Sequence, residues 1–143
     1  MSARTKSRKR ALDILYGADV RGIELATLLG EEAERAETLP ERASSWPYAR
    51  EIVEGVDRNL AELDEEIEAH SQGWSLARMP ALDRAIARLA AWEILHNDEV
   101  PDGVAIAEAV DFASTLSTED SSGYLNGLLG AISRNRPGSA QPS

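Results

Sequence analysis

The sequence has no cysteine among its 143 residues and only two histidines. The first absence removes disulfides, thiolate zinc sites and thiol nucleophiles. The second leaves no HExxH pair and no histidine cluster at ligand spacing, since His70 and His96 lie 26 residues apart. Aromatic residues make up 5% of the chain, and no segment alternates polar and apolar residues with period two, so a β-sheet has little to build on. Neither a GxGxxG turn after a strand nor a GxxxxGK[ST] loop is present, which leaves nucleotide binding unsupported. No apolar run approaches the roughly 18 residues of a membrane span, and the basic N-terminus is not followed by the apolar stretch and cleavage site of an export signal. The expectation is a cytoplasmic, non-membrane, non-enzymatic protein without cofactor or metal.

What the chain does have is charge, distributed unevenly. It carries 15 Lys and Arg against 25 Asp and Glu, a net charge of -10. Five of the cations (Arg4, Lys6, Arg8, Lys9 and Arg10) fall within the first ten residues, where there is no acid, so the remainder carries a net charge of -15. A cationic pole on an acidic body fits an anionic partner at the N-terminal end and a basic protein elsewhere, or a leader that merely solubilises. Residues 1–7 are expected to form a basic flexible leader, 8–136 a single helical domain, and 137–143 a disordered tail of small and polar residues.

Helical periodicity runs through the domain. Ala11, Leu12, Ile14, Leu15 and Ala18 predict a helix from about Arg8 to Val20 that stops at Gly22, with Ser7 a possible cap. A second helix is predicted over 24–37, followed by a Pro- and Ser-bearing connection to residue 47. Residues 48–70 read as one long helix or as two broken near Asn59. Trp74, Leu76 and Met79 keep the next connection apolar and packed. Leu82, Ala85, Ile86, Leu89, Ala90 and Ile94 form a wide stripe suited to a central helix that ends near Asn97. Helices over 103–116 and from Thr118 or Asp120 to Arg136 complete an all-α fold.

The remaining polar and glycine features read as structural. Glu31-Glu32 and Asp64-Glu65-Glu66 suit solvated helix faces better than paired catalytic carboxylates. His96 is expected to complement a helix C-terminus, and His70 to lie at a surface or interface. Gly127 and Gly130 are expected to allow close helix packing.

Four separated stretches together resemble the NusB family of bacterial transcription antitermination factors. They are the basic leader running into Arg10-Ala11-Leu12-Asp13-Ile14-Leu15-Tyr16, the segment from Leu82 to Ile94, Val100-Pro101 with Val104 to Val110, and Glu119 to Leu129. The resemblance spans nearly the whole chain. It implies a compact bundle of about seven helices in two small packed subdomains. It also implies binding to the single-stranded boxA element of ribosomal RNA transcripts, together with the ribosomal protein NusE, within an antitermination complex of RNA polymerase. The alternative is a helical protein-interaction adaptor that does not touch RNA.

Carried onto this chain, the resemblance assigns RNA contact to Asp120, Tyr124 and the basic leader with Arg4, Lys6, Arg8, Lys9 and Arg10, and partner contact to Tyr16 and Asp83. Beside these, helix spacing and charge make Arg88 a candidate RNA contact and Arg84 a candidate partner contact. Single-stranded RNA takes cations on its backbone and flat groups on its bases, and five neutralised phosphates would give a salt slope of about -3.5. Tyr124 would stack on a base or pack against the core. Asp120 would cap a helix, accept a base hydrogen bond or limit affinity. Arg84 and Arg88, one turn apart, would extend the basic surface or pair with Glu93 and other acids. The chain departs from the family at Ala107, often Asn there, at Thr5 and Ser7 within the leader, and around His70 and Gly73. A homodimer that hides the RNA surface is a further expectation, beside a plain monomer.

Overall fold

A computed structural model describes residues 2–136. Among them are seven α-helices and no strand: α1 (Ala3–Arg21), α2 (Leu25–Thr38), α3 (Trp46–Arg58), α4 (Leu60–His70), α5 (Ala81–His96), α6 (Asp102–Leu116) and α7 (Glu119–Arg134). Short 3-10 turns occur at Pro40–Arg42 and Leu76–Arg78. The first three helices pack on one another, α4, α6 and α7 gather on the other side, and α5 touches both groups. This central position explains why α5 carries ten buried residues, eight of them apolar and two the acids Asp83 and Glu93. None of the described helices is long and apolar enough to cross a membrane.

The core is aliphatic. Leu12, Ile52, Leu63, Ile86, Ile94, Leu125, Leu129 and Ile132 are all at most 2% exposed, each worth about 1.5–3 kcal/mol of burial before entropy is set against it. Trp92 of α5 packs closely against α3, where Gly55 makes the approach possible. A Cβ at Gly55 would sit 2.1 Å from Trp92 Nε1. Gly127 and Gly130, expected to fill that role, do not: a Cβ at Gly127 would meet nothing within 4 Å, and one at Gly130 only the flexible end of Arg134.

The predicted leader is not a separate segment. Helix α1 begins at Ala3, with Ser2 as its cap accepting from the Thr5 amide at 3.1 Å. Ser7, a candidate cap, is instead buried inside the helix and donates to the Ala3 carbonyl. Helicity reaches this far because side chains of the first turns are tied to distant elements: Thr5 Oγ1 donates to Glu108 of α6 at 2.6 Å. Gly22 ends α1 in the left-handed conformation, with φ 66°. The stretch 48–70 resolves into two helices, α3 and α4, and Asn59 at the break bonds its side chain back to the Gly55 carbonyl at 2.8 Å. The 71–80 connection packs through Ser71, Leu76 and Met79, whereas Trp74, expected to pack with them, is left exposed, and consecutive positive φ angles at Gln72 and Gly73 turn the chain. Thr118 caps α7 by accepting from the Ser121 amide at 3.1 Å. The expected disordered tail, 137–143, lies outside the described residues.

Candidate nucleic-acid and partner interface

Arg8 faces inward. Its side chain is 4% exposed and that of Glu93, at the far end of α5, is wholly buried. Arg8 Nε donates to both Glu93 oxygens, at 3.1 and 2.9 Å, and Nη1 donates to Glu108 of α6 at 2.9 Å. The second Glu93 oxygen also accepts a very short hydrogen bond from the Tyr48 hydroxyl, which in turn accepts from Asn97 Nδ2 at 3.0 Å. Burial, then the bond to Glu93 and its charge, push the Tyr48 hydroxyl well above the usual tyrosine range, against the opposing pull of Arg8. Arg8 therefore leaves the set of RNA-facing cations, because a charge at this depth is tolerated only when paired and hydrogen-bonded. A signal for this was present in the sequence: Arg8 is three, four and seven residues before Ala11, Leu12 and Leu15, on the stripe that packs.

The other early cations point outward to different degrees. Arg4 is half-exposed, stacks its guanidinium 3.8 Å from the centre of the Tyr48 ring, and makes a loose 3.9 Å contact with exposed Glu99. Lys6 is exposed. Lys9 pairs with Asp13 one turn on, at 2.8 Å. Arg10 is half-buried, and its Nη1 is buried without a hydrogen-bond partner. Burial and then the nearby Arg42 lower its pKa, with Glu32, Asp13 and Glu41 opposing.

Three positions on α5 take structural roles. Asp83, expected to face a partner, is 1% exposed and accepts from the hydroxyls of Ser117 at 2.8 Å and Ser121 at 2.6 Å. It ties the start of α5 to the start of α7, a position its charge also favours in the first turn of a helix. Arg84 bonds Asp19 at 2.7 Å and the carbonyls of Leu76 and Met79. Arg88 grips Asp64 in a two-pronged bond at 2.8 and 2.9 Å and lies 3.7 Å from Asp19. Their acids are therefore Asp19 and Asp64, while Glu93 belongs to Arg8. With both guanidiniums mostly buried and engaged, neither Arg84 as a partner contact nor Arg88 as an RNA contact fits this arrangement.

The outward-facing candidates lie elsewhere. Tyr16 and Val20, one turn apart on α1, are 40% and 57% exposed, and Leu116 at the end of α6 is 40% exposed. Asp120 is exposed in the first turn of α7, whose cap is Thr118. Tyr124 is half-buried, donates its hydroxyl to the Ser71 carbonyl at 3.2 Å, and packs its ring 4.9 Å from that of Trp74 at a tilt of 50°. Trp74 is 45% exposed. Read from the sequence it was only an apolar residue in a connector, and nothing in its spacing marked the pairing with Tyr124. His96 closes α5 and bonds Glu62 at 2.9 Å, while His70 Nδ1 lies 2.9 Å from the Glu66 carbonyl.

The NusB family model matches residues 5–134. The chain belongs to the NusB family. A transcription antitermination protein NusB from Leifsonia xyli subsp. xyli is 64% identical, over 96% of this chain and 95% of that one. Among solved structures, T. maritima NusB superposes with a TM-score of 0.82 at 29% identity, covering 95% of this chain and 94% of its own. A structure of the antitermination factors NusB and NusE in complex with double-stranded RNA is matched with a TM-score of 0.80 at 27% identity, covering 94% and 98%.

Within this NusB fold the candidate residues fall at two ends. Arg4 reaches Glu99, just past the C-terminus of α5, whereas Asp83 at its N-terminus joins the start of α7, where Asp120 and Tyr124 lie. Helix α5 has 16 residues, so the clusters are separated by roughly 24 Å along its axis.

Proposed function

We propose that the protein is a transcription antitermination factor that binds the boxA element of ribosomal RNA transcripts together with NusE. The observation that carries this reading is the match to the NusB family along almost the whole chain, with relatives named as antitermination proteins. The geometry supplies a mechanism. The Arg8, Glu93 and Glu108 cluster fixes the first turns of α1 against α5 and α6, so Arg4, Lys6, Lys9 and Arg10 are presented on an ordered helix. Ordering them beforehand reduces the entropy lost when RNA docks. Trp74 and Tyr124 offer aromatic faces to a base at the other end, where Asp120 accepts a base hydrogen bond without attracting phosphate.

The partner face is formed by Tyr16 and Val20, apolar groups left open on an otherwise acidic body, and a basic ribosomal protein complements that charge. In this reading the pair works within the RNA polymerase antitermination complex in the cytoplasm, by binding and not by catalysis. The same apolar face would support self-association when NusE is absent, which light scattering across a concentration series, with and without NusE, resolves.

The test is an anisotropy titration of boxA RNA with the full chain, with and without NusE. Four phosphate contacts, now without Arg8, would give a slope of log affinity on log salt of about -2.8. Replacing Arg4, Lys6, Lys9 and Arg10 together by Ala should abolish most binding. Absence of RNA binding by wild type, with NusE still bound, would identify an adaptor instead, and unchanged affinity in the variant would move the RNA contact away from α1.

A further inference from the structure

Between α1 and α2 lies a cleft of about 310 Å³ whose lining includes Arg10, Arg21, Arg35 and Arg42. Three acids, Asp13, Glu31 and Glu32, also line it, but two are already engaged. Both oxygens of Asp13 accept from Lys9, at 2.8 and 3.0 Å. Glu32 gives one oxygen to Arg35 at 2.9 Å and the other to Arg42 at a long 3.5 Å. That leaves Arg10 beside Arg42 with its Nη1 desolvated and unpartnered. A buried guanidinium nitrogen without an acceptor is costly, so turning Arg10 toward an oxyanion in the cleft would relieve that cost. Arg42 is held only loosely by Glu32, so it can turn to share an incoming oxyanion, and two guanidiniums are the donor set that planar, two-pronged phosphate recognition uses.

The cleft is also continuous with the cationic pole. Lys6 lies one turn before Arg10 and is exposed, so the two are neighbours on the helix surface. Arg42 closes the 3-10 turn that precedes α3, and Tyr48, on which Arg4 stacks, is in the first turn of that helix.

We propose that Arg10 and Arg42 form a phosphate site in the α1–α2 cleft, which takes one backbone phosphate of the bound RNA and extends its track off α1 onto the connection before α3. This inference rests on the RNA-binding reading above, and it adds Arg42, a residue that no sequence motif pointed to.

The experiment titrates boxA RNA into the full chain with NusE across a salt series, comparing wild type with Arg42→Ala, Arg42→Glu, Lys6→Ala and, as a remote control, Arg50→Ala on α3. Arg42→Ala is expected to weaken binding about tenfold, as for loss of one charged hydrogen-bonded contact, and, because Arg10 still holds the shared phosphate, to make the salt slope shallower by less than the roughly 0.7 of a whole phosphate contact. Arg42→Glu should weaken it further, and Arg50→Ala should match wild type. A second measurement follows the Arg10 and Arg42 Nε–H resonances, assigned with Arg10→Lys and Arg42→Lys, while inorganic phosphate is added; both should move. If Lys6→Ala weakens RNA binding and Arg42→Ala does not, the phosphate site is refuted and the RNA reading stands. If neither variant alters an affinity that wild type does show, the site is refuted and RNA docks away from this pole; if wild type with NusE binds no RNA at all, the RNA reading itself fails and takes this site with it. Resonances that move with inorganic phosphate while Arg42→Ala leaves RNA affinity unchanged would assign the cleft to a free oxyanion and overturn the proposal as stated.

Discussion

Arg8 and Glu93, 85 residues apart in sequence, meet in the interior through two hydrogen bonds from one guanidinium nitrogen. Around them Tyr48, Glu108 and Asn97 use up much of the remaining hydrogen-bonding capacity. Such a network specifies more than it stabilises: it makes one docking of α1 on α5 and α6 far better than its neighbours. Removing one partner strands the other. Glu93→Leu or Arg8→Met alone should lower stability by about 3–5 kcal/mol, read from urea unfolding. The double variant should recover a large part of that loss. Because Arg8 does not meet solvent, the folded double variant should keep the wild-type salt slope for RNA, whereas Lys6→Ala should not.

The Tyr48 hydroxyl gives the network a pH signature. Its pKa is raised in the folded protein, first by burial and then by Glu93, whereas an unfolded tyrosine ionises near 10. The folded state therefore holds a proton that the unfolded state has released, and stability must fall as pH rises beyond about 10. Below that pH the contribution is complete. Chemical denaturation from pH 8 to 11 should show this decline in wild type and a shallower one in Tyr48→Phe. At neutral pH Tyr48→Phe should itself cost about 1.5–3 kcal/mol, the range for a hydrogen bond to a charged group.

Two helical glycines should respond to alanine with opposite signs. At Gly55 the added methyl would overlap the Trp92 indole, and forcing α3 away from α5 should cost about 1–3 kcal/mol. At Gly30, inside α2, nothing lies within 4 Å of the new carbon, so Gly30→Ala should stabilise by about 0.4–1 kcal/mol through reduced freedom of the unfolded chain. Thermal unfolding of the two variants beside wild type measures both.

The helices were legible in the sequence because their apolar periodicity is local, and Gly22, Thr118 and the break at Asn59 are local signals too. The burial of Arg8, Asp83, Arg84 and Arg88 was not. Each sits in a motif where charge suggested an exposed surface, yet its partners lie between 5 and 100 residues away outside its own helix, as Met79 does for Arg84 and Glu108 for Arg8. Spacing within one helix says which side a residue faces; it does not say which acid waits opposite. For the same reason Gly55 was passed over, since the need for it is set by Trp92 on a different helix. Trp74 and Arg42 were missed because they come from connections, where no period exists to read.

The clearest separation of surface from scaffold concerns Tyr16 and Asp83, both assigned to partner contact by resemblance. Tyr16 is open to solvent and has no ion pair to break, while Asp83 is closed off and accepts from two serine hydroxyls. Tyr16→Ala should therefore weaken NusE binding by about tenfold or more, in the range of an interfacial aromatic anchor, with the unfolding midpoint hardly changed. Asp83→Ala should do the reverse: it strands the hydroxyls of Ser117 and Ser121 and loosens α5 from α7, at a cost of about 1–3 kcal/mol. Calorimetric titration with NusE at a temperature where both variants are folded, paired with thermal unfolding, separates the two outcomes. If Asp83→Ala loses NusE affinity without losing stability, the buried assignment is wrong and the aspartate turns outward when the partner arrives.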